Sequence, residues 1–113
     1  VANTFKVKTL QSVGTGSAAA TGSTVYTVPA ATTAVVIGCS VSNRSTSAIQ
    51  GSVFLDNKDG QWVYLVKDAP IPAGGALEVM SGNKLVAEAT DKILAKSDSS
   101  GSADVALSIM EIT

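Results

Sequence analysis

Apolar residues recur at every second position in short stretches along the chain, and clusters of Gly, Pro, Asn and Ser separate the stretches. Alternation of β-branched residues at period 2 predicts strands, and helical periodicity is nearly absent. Phe5 to Leu10 places Phe5, Val7 and Thr9 on one face and Lys6 and Lys8 on the other, a half-exposed first strand. Thr24 to Val28 is a short strand stopped by Pro29. Thr33 to Ser42 is the long central alternation, with Val35, Ile37, Cys39 and Val41 predicted to share the core face. On that reading Ile37 is a core residue whose truncation to Ala costs about 2–5 kcal/mol.

Asn43 to Thr46 predicts a turn, and Ile49 to Leu55 predicts a strand with Ile49, Gly51, Val53 and Leu55 in phase. Asn57-Lys-Asp-Gly60 predicts a hairpin, because Asp59-Gly60 supplies the positive φ angles of such a turn. Gln61 to Ala69 begins apolar in both phases, Trp62, Tyr64 and Val66 against Val63 and Leu65. It is expected to be buried on both faces or to lie at a subunit contact. After Pro70-Ile-Pro72 and the Gly74-Gly75 turn come Leu77 to Met80, Lys84 to Ala87, Lys92 to Lys96 and Val105 to Ile112, with Val105, Leu107 and Ile109 facing one way. Eight or nine strands at spacings of about 8–12 residues imply an all-β chain, an antiparallel β-sandwich of jelly-roll type. Residues 1–113 form one domain, since a chain of this size buries roughly two-thirds of its unfolded surface and leaves no room for a second. Gln11 to Ser23, rich in Gly, Ser, Ala and Thr, carries no evident core anchor. Residues 1–23 are therefore read as a flexible arm and loop that order on contact with a partner.

Charge narrows the partners. A net charge of −1, with eight scattered Lys and Arg residues, offers no basic field for phosphates, so no nucleic acid is expected. Charged residues make up only 15% of the chain, and a surface of small neutral side chains can pack on another protein without desolvating many charges. No stretch approaches the roughly 20 apolar residues of a membrane-spanning helix, and no membrane partner is expected. The start, Val-Ala-Asn-Thr-Phe-Lys, is read as a product whose initiator Met has been removed, with a processed secreted chain as the other possibility.

Candidate chemistry is sparse. The sequence has no histidine, which removes the usual general base, and Cys39 is its one cysteine, which rules out an intrachain disulfide or a multi-thiolate zinc site. The nine carboxylates fall mostly at turns and strand ends. Asp56-Asn-Lys-Asp-Gly60 departs from a calcium loop because Lys58 stands at a ligand position and no Glu follows. Gly14-Thr-Gly16 opens like a dinucleotide loop, yet Ala19 replaces the third Gly. Asn43-Arg44-Ser45 matches a glycosylation sequon too short to be specific. Cys39, in phase with apolar neighbours, reads as a small buried hydrophobe. No catalytic, cofactor-binding or metal-ligating residue is assigned, and the chain is expected not to be an enzyme.

The N-terminal Ala-Asn-Thr-Phe-Lys, the run Val25-Tyr-Thr-Val-Pro-Ala-Ala-Thr-Thr-Ala-Val-Val-Ile-Gly, the segment Val66-Lys-Asp-Ala-Pro-Ile-Pro-Ala-Gly-Gly and the end Asp104-Val-Ala-Leu-Ser-Ile-Met-Glu-Ile-Thr span almost the whole chain. In these the sequence resembles small virion structural proteins of tailed bacteriophages. The resemblance implies a virion component, and small jelly-roll members commonly serve as capsid decoration or cement proteins that bind the major capsid protein at the capsid surface. At a local three-fold position such a protein forms a homotrimer. The expected interface residues are Val1, Ala2, Asn3, Thr4 and Phe5 on the arm, with Trp62 and Tyr64 on the strand that is apolar in both phases. A tail, neck or fibre component shares these features and is the first alternative; a carbohydrate-binding module, which would need Trp62 and Tyr64 exposed as a stacking platform, is the second.

Overall fold

The computed structural model describes residues 2–15, 23–57, 61–80 and 84–113. Among them the chain forms nine strands: β1 Asn3–Leu10, β2 Ser23–Thr27, β3 Thr33–Asn43, β4 Ile49–Asp56, β5 Trp62–Ile71, β6 Ala76–Glu78, β7 Leu85–Ala87, β8 Lys92–Ser97 and β9 Ala103–Ile112. Every pairing is antiparallel, and the pairs are nested: β1 with β9, β2 with β8, β3 with β6 and β7, and β4 with β5. β6 and β7 take successive stretches of one side of β3, so they act as a single interrupted strand. The nested hairpin is rolled so that β9 also meets β3 and β8 also meets β4. This yields two stacked sheets, one ordered β1-β9-β3-β6 with β7 beside β3, the other β2-β8-β4-β5. A long hairpin folded back on itself in this order is a jelly roll, the architecture expected from the strand count and spacing.

The space between the sheets is filled by aliphatic side chains, including Val28, Val36, Val41, Val53, Ile71, Ile93, Leu107 and Ile109, each at most 1% exposed. Full burial of such a side chain contributes about 1.5–3 kcal/mol, so this layer is what holds the two sheets together. Phe54 and Leu94 are equally buried but stand opposite each other on the other face of the four-stranded sheet, outside that layer. The turn after β5 is closed by Gly74 at φ 70°, a conformation that a β-carbon would strain, and by a hydrogen bond from the Gly75 amide to the Pro72 carbonyl.

Three sequence expectations need correction. In β3 the inward residues are Ala34 and Val36, then Cys39 and Val41, because a β-bulge between Val36 and Gly38 inserts one residue and reverses the alternation. Val35 is half-buried on the outer side and Ile37 is 38% exposed, so neither belongs to the core. The segment after β1 does have a core anchor: Val13 is fully buried, its amide donates to the Ala103 carbonyl and its carbonyl accepts from Gly101. A single Val between polar neighbours leaves no periodic trace, which hid it. The N-terminal arm is not free over Asn3–Leu10, where eight consecutive residues are in register with β9, and Ala2 and Thr113 exchange both backbone hydrogen bonds. The rest of the expected loop, residues 16–22, lies outside the described residues, as do positions 58–60 of the hairpin turn whose flanks pair from Asp56 to Trp62.

The bulge has a measurable consequence. Leu107→Ala is expected to cost about 2–5 kcal/mol and Ile37→Ala less than about 1 kcal/mol in denaturant unfolding, since only the first leaves a cavity. Equal costs would mean that β3 runs without the bulge.

Candidate interaction surfaces

β1 is the edge of the five-stranded sheet and is inverted relative to an ordinary amphipathic strand. Lys6 and Lys8 take the phase that turns toward the other sheet, which Leu10 shares at the strand's end, and Phe5 and Val7 face out. The cause sits on β9, where Glu111 continues the inward phase of Val105, Leu107 and Ile109. Glu111 is only 5% exposed, and a buried carboxylate needs partners. Lys6 supplies one, Nζ to Oε1 at 2.8 Å, and the Tyr26 hydroxyl on β2 donates to Oε2 at 2.5 Å. Lys8 Nζ lies 5.9 Å from the centre of the Tyr26 ring, a cation–π contact. The cluster thus ties β1 and β9 of one sheet to β2 of the other.

The Lys6 and Tyr26 hydrogen bonds hold the Glu111 carboxyl below its ordinary value, against the opposing effect of burial. The Tyr26 hydroxyl is pushed far up by burial and then by the neighbouring Glu111 carboxylate. With both oxygens of the buried carboxylate engaged, one by β1 and one by β2, the cluster is a fastener between sheets, its Lys6 side chain reaching in from the partly exposed edge.

Because side chains alternate, turning Lys6 and Lys8 inward turns Phe5 and Val7 outward, where they are 72% and 65% exposed. The register continues this across the sheet: Phe5 lies opposite Met110, Met110 opposite Val35, and Val35 opposite Val86. One apolar row therefore crosses all four strand positions of the outer face. Val86 is 58% exposed at its far end, and Ile37 and Val7 flank it.

The second exposed apolar region lies on the opposite side of the molecule. β5 is an edge strand of the four-stranded sheet, and at its start Trp62 is 47% and Val63 48% exposed. Tyr64 is different: its ring packs on Phe54, with centroids 5.3 Å apart, and Lys67 Nζ sits 5.4 Å from its centre. The strand is therefore not buried on both faces as its sequence suggested. Its middle residues Tyr64, Leu65 and Val66 are half-buried and its first two are open.

The sequence-predicted interface residues fall on separate surfaces. Ala2, Asn3, Thr4 and Phe5 are exposed along the five-stranded sheet, whereas Trp62 and Tyr64 belong to the outer side of the other sheet; Val1 lies outside the described residues. Sequence reading did not assign Val7, Ile37, Val86 or Met110. The available signal was Glu111, a lone acid in the inward phase of a core strand, which calls for a cation from the neighbouring strand.

Other candidates resolve into structural roles. Cys39 is 2% exposed and its thiol is pushed up to about 11 by burial and then by the Glu78 carboxylate, which suits an inert core residue. Asn43 of the sequon is buried; its Nδ2 reaches the carbonyls of Ser47 and Ile71, and its Oδ1 accepts from the Ser45 amide. A hollow of about 310 Å³ between Thr9, Gln11, Ser42 and Asp104 has one charged group, Asp104, already bonded to the Ser12 amide and paired with Arg44 at 3.5 Å. Among the described residues no three His, Cys, Asp or Glu side chains come together as a metal site.

No protein-family model matches the chain and no curated protein matches it. Among solved structures, one chain from a structure of infectious bursal disease virus, Gt strain, overlays with a TM-score of 0.40 at 9% identity, covering 97% of this chain and 33% of that one. A crystal structure of the STIV MCP overlays with a TM-score of 0.27 at 14% identity, covering 93% of this chain and 48% of that one. This chain thus spans a third to a half of the length of those chains, and the overlays are too loose to carry an argument about its role.

The Glu111 cluster sets an acid limit. A carboxyl depressed in the folded state contributes stability that is fully present above its unfolded value, near the ordinary 4.5, and is lost as pH falls through the lower folded value. Glu111→Gln is expected to melt lower than the parent at pH 7 and to converge with it as the pH is taken down past that window. Parallel melting curves at every pH would remove Glu111 from the sheet-to-sheet link.

Proposed function

We propose that this chain is a non-enzymatic structural protein of a virion, and within that role a decoration protein that binds the major capsid protein on the outer surface of a tailed-phage head. One observation carries the reading: a small jelly roll presents two separate exposed apolar surfaces, the Phe5 to Val86 row and the Trp62–Val63 corner, on opposite sides of the sandwich. A protein that bridges neighbours in a shell needs more than one contact surface, and many shallow contacts repeated over a lattice become strong together. The phage-like sequence runs quoted above and the low charge support the same reading.

The shell contact is assigned to the Trp62–Val63 corner, where an exposed indole lies at the end of an edge strand with a free backbone margin. A tail, neck or fibre position is the second reading within the virion. A carbohydrate module draws on the exposure of Trp62, but the Tyr64 ring is engaged by Phe54 and Lys67, which leaves one aromatic where a platform needs several.

Stripped heads of the parent phage provide the test. The purified protein is expected to co-sediment with heads and to raise their melting temperature, and Trp62→Ala is expected to weaken binding about tenfold or more, the loss of about 1.4 kcal/mol or more typical of a buried aromatic anchor. Binding to tails but not heads would favour the second reading, and binding to neither would overturn the virion role.

A further inference from the structure

We infer that β1 is a strap that opens as a unit about a hinge at Gln11 and Ser12 while the rest of the sandwich stays folded, with Glu111 as the latch that holds it shut. The inference does not rest on the virion role. Among the described strands longer than three residues, β1 alone has no buried residue: Lys8 and Leu10 are half-buried and the other six positions are exposed. A strand that buries so little apolar surface is held by its ladder and its polar links, and such elements open at lower free energy than the core. The boundary of the unit is sharp. Ser12 takes a φ of 61°, a left-handed conformation where the chain leaves the strand, and its links are exposed: its amide donates to Asp104 and its hydroxyl accepts from Arg44. From Val13 on, the chain is fastened. The Val13 amide and carbonyl bond to Ala103 and Gly101, the Gly14 carbonyl accepts from the Ser97 amide, and Val13 is fully buried. The residues before Val13 can therefore leave without breaking any of these bonds.

The latch is the ion pair of Lys6 with Glu111 at 2.8 Å, with Lys8 beside it over the Tyr26 ring. The charged and titratable groups that face Glu111 are Lys6 and Lys8 from β1 and Tyr26 from β2, and its neighbour in register on β3 is Ala34. Both cations thus belong to the strap. Opening removes them and leaves the carboxylate with Tyr26 and entering water. The Lys6 hydrogen bond is the largest cause holding the Glu111 carboxyl low, so the carboxyl returns toward its ordinary 4.5 when β1 leaves. The open state then binds more protons than the closed one. Closure is accordingly favoured at neutral pH, and it weakens as the pH falls from the ordinary carboxyl value through the lower value of the closed state. A protonated Glu111 still accepts from the Tyr26 hydroxyl, so the strap is released while that link between the sheets remains. Opening uncovers one side of the β9 main chain. Ala2 and Thr113 exchange both backbone hydrogen bonds, and the Arg44 amide donates to Ser102 on the other side. By alternation Val105, Leu107, Ile109 and Glu111 bond to β1, and Ala106, Ser108 and Met110 bond to β3.

This alternation makes the opening readable residue by residue. Amide hydrogen exchange of the intact protein, followed by NMR and corrected for the intrinsic effect of pH, is measured from pH 7 down to about 3.5, below the ordinary range of a Glu carboxyl. The amides of Val105, Leu107, Ile109 and Glu111, with Thr4, Lys6, Lys8 and Leu10 of β1, are expected to be about tenfold or more less protected than those of Ala106, Ser108 and Met110. The Val13 amide is expected to follow the protected set. The gap should widen as the pH falls below about 4.5, and Glu111→Gln should show the wide gap already at pH 7 and no further change in acid. If that variant does not fold, the titration of the parent decides alone. Equal protection of the two sets at every pH would mean that β1 opens only with the whole domain, and would overturn the strap. Exchange of Val13 with the β1 set would remove the hinge, and a gap in the parent that does not change with pH would remove Glu111 as the latch.

Discussion

The phase of β1 depends on one buried carboxylate. Glu111 lies inside the sandwich, where an unpaired charge costs several kcal/mol, and its nearest available cation is Lys6 on the adjacent strand. A strand has only two phases. Once Lys6 is drawn in, Lys8 follows it inward and Phe5 and Val7 are carried out. The hydroxyl of Tyr26 completes the carboxylate's shell from the other sheet, so the same interaction that sets the phase of β1 also joins the two layers at that end of the molecule.

The nested pairing of the jelly roll gives this local choice its reach. β9 lies between β1 and β3, so Phe5 is two strands from Val35 and three from Val86, and register alone aligns them through Met110. The bulge after Val36 adds Ile37 to the same side. The inside of the sandwich, by contrast, is a layer of aliphatic residues with Tyr26 as its aromatic member. Most of the remaining aromatic surface faces away from that layer: Phe5 on one outer face, Trp62 and the Phe54–Tyr64 pair on the other.

Much of this was legible in the sequence. Alternation located each strand to within a few residues, and Val105, Leu107 and Ile109 do share one face, as read, because β9 has no bulge between them. The errors share a physical origin. A bulge shifts phase without changing composition, so Val35 and Ile37 looked like continuations of Cys39 and Val41. Val13 is buried by partners at Gly101 and Ala103, about ninety residues away in the chain, and no local pattern records that. The outward turn of Phe5 and Val7 was the least legible, since alternation gives two faces without saying which is inside. That choice was made by Glu111 at the other end of the sequence.

The most direct measurement is the proton cross-relaxation of the Lys8 and Phe5 side chains in solution by NMR. Magnetisation transfer is expected between the Lys8 ε-methylene and the Tyr26 ring, with none between the Phe5 ring and Tyr26 or Ile109. Transfer from the Phe5 ring to Tyr26 or Ile109, with Lys8 silent, would put β1 in the opposite phase and contradict the origin of the exposed face.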